Sequence, residues 1–64
     1  MRTEEVQLGM FVQVHQGART KDLEGRIGIV RQRFGNHSYS PFEVQFENKQ
    51  GEVELLWAYE FEEW

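Results

Sequence analysis

From Phe42 to Glu47 the chain alternates without a break. Phe42, Val44 and Phe46 fall on one parity, and Glu43, Gln45 and Glu47 on the other. A side-chain period of two is the mark of a strand with one covered face. The same period holds over 10–14, where Met10, Val12 and Val14 oppose Phe11 and Gln13. It returns over 52–57, where Val53, Leu55 and Trp57 oppose Glu52, Glu54 and Leu56. Residues 26–33 form a β-branched run, with Ile27 and Ile29 on one side and Gly28, Val30 and Gln32 on the other. Nowhere does a helical period persist long enough to predict a helix of useful length.

The intervals read as turns. Gly25 opens the second strand, and Gly28 inside it predicts a bulge or sharp bend. Residues 15–22 have no apolar period, and Leu23 is expected to fold back as a plug. Residues 34–41 are rich in turn formers and hold the only proline, Pro41. Asn48, Lys49, Gln50 and Gly51 make a short hairpin loop. A 3₁₀ turn at 58–61 and a closing strand at 61–64 complete the pattern. Residues 1–9 are a loose lead-in, with Val6 and Leu8 tucked against one end. The prediction is an all-β fold, a single domain over 1–64, built as a small barrel of about five short strands. Its expected core is Val12, Val14, Ile27, Ile29, Phe42, Val44, Phe46, Val53, Leu55 and Trp57.

Length changes the picture by making that core marginal. A chain of 64 residues buries only ~60% of the surface its unfolded form exposes. It has no cysteine, so neither a disulfide nor a thiolate metal site reinforces it. Aromatic side chains and oligomerisation are the remaining remedies. No apolar run approaches the ~18–20 residues of a membrane span. No basic stretch followed by an apolar one predicts a signal peptide, and the cytoplasm is the expected compartment.

Strand order, loop lengths and glycine placement over 8–64 resemble the SH3-like barrel. The stretch Gly25-Arg26-Ile27-Gly28-Ile29-Val30 is also similar to the glycine and valine spacing of KOW-type motifs in ribosome- and transcription-associated barrels. A narrower resemblance, to plasmid-borne type II dihydrofolate reductases, rests on Gly51-Glu52-Val53-Glu54-Leu55-Leu56-Trp57-Ala58. That family carries Val-Gln-Ile-Tyr here, and only Val53 matches: Glu54, Leu55 and Leu56 replace the rest. Where the family has a lysine after the first strand, this chain has Gln16 and Gly17. A carboxylate at Glu54 repels an anionic dinucleotide, so this likeness implies the barrel and not the reductase activity. Val44-Gln45-Phe46 and the acidic Glu60-Phe61-Glu62-Glu63 resemble small SH3-like accessory subunits of electron-transfer complexes. That likeness implies architecture and no site residues.

Charge separates the two halves. Residues 1–34 balance at +2 and residues 35–64 at −6, for a net charge of −4. Arg19, Lys21, Arg26, Arg31 and Arg33 form the basic strip that a nucleic-acid-binding reading would use. The acidic total sets that reading second, because it works against affinity driven by phosphate contacts even where a local basic face exists. His15 and His37 sit in loops, with Asp22 and Glu24 the carboxylates near His15 in sequence. Glu43, Glu47, Glu52 and Glu54 would make an acidic sheet face if the third and fourth strands pair. No phosphate loop, nucleophile elbow or metal-ligand spacing is present. The sequence therefore predicts no catalytic, cofactor-binding or metal-ligating residue. It predicts a small interaction module, an accessory or regulatory subunit or a homo-oligomer, with a protein partner and no membrane. Its expected contact residues are Phe11, Phe34, Tyr39, Leu56 and Trp64, apolar groups assigned to outer faces, loops and the C-terminus. The acidic second half favours a basic partner.

Overall fold

The computed structural model describes residues 1–15, 21–37, 39–46 and 53–64. The 48–51 hairpin, Gln16, Gly17, Arg19, Glu47 and Glu52 lie outside the described residues, as does the side chain of Lys21. Five strands form: β1 Phe11–Val14, β2 Ile27–Arg33, β3 Phe42–Phe46, β4 Val53–Leu56 and β5 Phe61–Glu63. Single 3₁₀ turns occupy Thr3–Glu5, Lys21–Leu23 and Ala58–Glu60. The turn before the last strand stands where the sequence predicts it.

The strands make one antiparallel sheet in the order β4-β3-β2-β1-β5. The chain meanders from β1 to β4, then returns across the fold to lay β5 along β1. The expected closed barrel does not form. β4 and β5 remain the two edges of an open sheet. The physical reason lies in the last segment. Residues between Leu56 and Phe61 are taken up by the Ala58–Glu60 turn, and the three residues of β5 spend their ladder on β1.

The sheet curves over a core of Val12, Val14, Leu23, Val30, Phe42, Val44, Phe46, Leu56, Ala58 and Phe61. Met1, Val6 and Met10 pack against it, whereas Leu8 is exposed. Leu23 fills the role of plug. Phe42 and Phe61 meet edge to face, their ring centroids 6.2 Å apart at 78°.

Two strands present the face opposite to the one expected. In β2, Gly28 and Val30 face the core, and Ile27 and Ile29 are only half-buried. A Cβ on Gly28 would lie 2.6 Å from Val44 Cγ1 and 2.9 Å from the Gln45 carbonyl oxygen. The missing side chain is what lets β2 lie this close to β3. The register then slips between Val30 and Gln32, bending the strand. In β4, Leu56 is fully buried while Val53 and Leu55 are 43% and 53% exposed. Trp57 is half-buried. Register sets this, because Leu56 lies opposite Phe42 and must share its inward face. Gly25 supports the turn into β2 at φ +77°, its N–H donating to the Val14 carbonyl at 2.9 Å.

Candidate interaction face

Cross-strand pairing places directly opposed residues on the same side of a sheet, so the registers define the outer face. Phe11 lies opposite Ile29, Ile29 opposite Gln45, and Gln45 opposite Val53. At the other edge the Trp64 N–H donates to the Phe11 carbonyl at 2.9 Å, extending the β1–β5 ladder by one residue. Trp64, Phe11, Ile29, Gln45 and Val53 thus form one row across all five strands. Trp64 is 66% and Phe11 46% exposed. Ile29 and Gln45 are half-buried.

Shorter rows flank it. Glu62, Gln13 and Ile27 lie on one side, and Gln32, Glu43 and Leu55 on the other. The outer face is therefore apolar groups and amides, with described carboxylates only in the flanking rows. Depletion of charge and enrichment in aromatic groups distinguish the centres of protein interfaces from ordinary surface.

The expected contact residues divide. Phe11 and Trp64 come together on this row. Leu56 is lost from the set: it packs in the core opposite Phe42, and its neighbours Val53 and Leu55 take the outward positions. Phe34 and Tyr39 are exposed in the loop after β2, off the row. That loop is pinned from inside. Ser40 Oγ, buried, accepts from the His37 N–H and donates to the His37 carbonyl, both at 2.9 Å. Tyr39, 78% exposed, instead joins Trp57 and Tyr59 around a separate cleft of about 240 Å³ that Met1 and Arg2 also line. Sequence reasoning missed Ile29, Gln45, Val53 and Leu55. The outward side of β3, and with it Gln45, was visible in the alternation, but which parity of β2 and β4 faces out depends on their pairing with β3.

The other constellations disperse. Glu43 lies opposite Gln32 and Leu55 on the outer side, while Glu54 lies opposite Val44 on the inner side. The acidic face expected of these carboxylates does not assemble from the described ones. His15 and Glu24 share the walls of an open, polar pocket of about 510 Å³ with Gln13 and Glu62. Among the described residues, no three His, Asp or Glu side chains stand close enough to hold a metal ion. Of the basic strip, Arg26 is half-buried, with Nη1 out of contact with water. Arg33 donates to the His37 carbonyl at 2.8 Å and lies 5.8 Å from the Phe42 ring centre. Arg31 is exposed at the register slip. Among the described residues, no helix is long and apolar enough to cross a membrane. Set beside family models, curated proteins and solved structures, the chain matches none, and its own geometry carries the functional reading.

Proposed function

We propose that this chain is a non-catalytic protein-interaction module, acting as a small accessory or regulatory subunit or as a homo-oligomer. The strand order, with β5 beside β1 and a 3₁₀ turn before it, supports an SH3-like reading of the fold. The observation that carries the functional reading is the row Trp64, Phe11, Ile29, Gln45 and Val53. A sheet normally covers both faces or solvates one with polar residues. Here the inner face is the core, and the outer face places apolar groups at four of the five positions of its central row. Fully burying an exposed side chain of this kind is worth ~1.5–3 kcal/mol, and Phe11 and Val53, 46% and 43% exposed, each have about half of that left to gain, which together makes a modest driving force.

The test is the double variant Phe11→Ser, Val53→Ser. Light scattering on the purified chain reads self-association. Affinity capture with identification by mass spectrometry reads a stoichiometric partner. The module reading expects at least one association that the double variant loses while its thermal midpoint stays within a few degrees of the parent. Association that is absent, or unchanged in the variant, rejects the reading.

A further inference from the structure

We infer that the partner on the outer face is a second copy of this chain, the two sheets packed face to face about a two-fold axis. This rests on the interaction-module reading above and names its occupant. A two-fold contact uses the same patch twice, so the patch must be complementary to itself. The central row meets that condition. Trp64, Phe11, Ile29 and Val53 are apolar, and Gln45 carries an amide that both donates and accepts. An opposed pair of Gln45 side chains satisfies both, which an opposed pair of carboxylates or guanidinium groups cannot do. A basic partner, by contrast, is selected by acidic groups at the centre, and here Glu43 and Glu62 stand only in the flanking rows.

Chemistry also orients the axis. If it runs along the strands, Gln45 meets Phe11 and an amide is buried against a ring. If it runs along the row, each residue meets its own copy, apolar on apolar and amide on amide. Within the central row the second arrangement leaves no polar group opposed to an apolar one, so the axis follows the row. Sheets packed this way stand ~10 Å apart.

Size sets the strength. The two longer dimensions of the molecule, 28 and 24 Å, outline a flat face of about 670 Å². A standard stable interface covers ~800 Å² per partner, so this one belongs to the small, weak class. The weight-average mass should climb from monomer toward dimer over roughly 10 µM to 1 mM. Each chain carries −4. Salt screens the repulsion between two copies, so raising ionic strength should tighten the dimer. Binding of a basic partner would weaken under the same change.

Sedimentation equilibrium on the intact chain tests this, with a charge swap at the axis. Gln45→Glu alone and Gln45→Lys alone each place like charges opposite each other and should weaken association by roughly tenfold or more. An equimolar mixture of the two should restore it, which simple loss of folding cannot imitate. A parent chain monomeric throughout the range overturns the inference, as does a dimer loosened by salt or a mixture no tighter than its components. If the parent is monomeric but an identified heterologous partner is lost with Phe11→Ser, Val53→Ser, this inference fails and the interaction face stands. If neither association exists, both fall.

Discussion

At Gly28 a Cβ would sit 2.6 Å from a valine methyl and 2.9 Å from a backbone oxygen. The second obstacle belongs to the β3 backbone and cannot rotate away. Gly28→Ala should therefore destabilise the fold by ~1–3 kcal/mol, the usual cost of overpacking, with the urea midpoint lowered and the slope unchanged. Stability equal to the parent would show that β2 and β3 are further apart than described. The sequence marks this residue as special but not in which way. Two isoleucines outweigh a glycine and a valine in any count of apolar residues. The actual face is fixed by how closely two backbones approach, which no residue count contains. Ser40 makes a parallel case. Its hydroxyl serves both the N–H and the carbonyl of His37 from a buried position. Ser40→Ala leaves both groups without that partner and should cost ~1–3 kcal/mol by thermal denaturation. A loss below about 0.5 kcal/mol would show that the loop holds without it.

At the scale of the element, β3 was legible in full. Its five residues alternate, pair on both sides and bury Phe42, Val44 and Phe46. β1, the Ala58–Glu60 turn and the position of β5 were legible for similar local reasons. The inward face of β4 was not. Three apolar residues share one parity there and Leu56 stands alone on the other, yet Leu56 is the one opposite Phe42. A one-residue change of parity moves every side chain to the other face, so one wrong assignment here both misplaced the core and chose the wrong contact residue. The two leucines supply the check. Leu56→Ala should cost ~2–5 kcal/mol, and Leu55→Ala about 0.5 kcal/mol or less at a dilution where the chain is monomeric. Equal losses, or the reverse order, would return β4 to the opposite face.

For the whole molecule, the open sheet is the departure that carries meaning. With its edges unpaired the sheet keeps an inner face on the core and an outer face across which the strand registers align Trp64, Phe11, Ile29 and Val53. Phe11 and Trp64 were legible as outward apolar groups. That they lie in one row, with Ile29 between Phe11 and Gln45, required the registers of four strand pairs. A chain of 64 residues with no cysteine gains most from covering such a face. The most direct measurement is a dilution series of ¹⁵N–¹H correlation spectra on the intact chain. Pairing of two copies through the outer face predicts concentration-dependent shifts at Phe11, Ile29, Gln45, Val53 and Trp64, with the amides of the Phe34–Tyr39 loop unmoved. Shifts centred on that loop and the Tyr39–Tyr59 cleft, or spectra identical at every concentration, would contradict it.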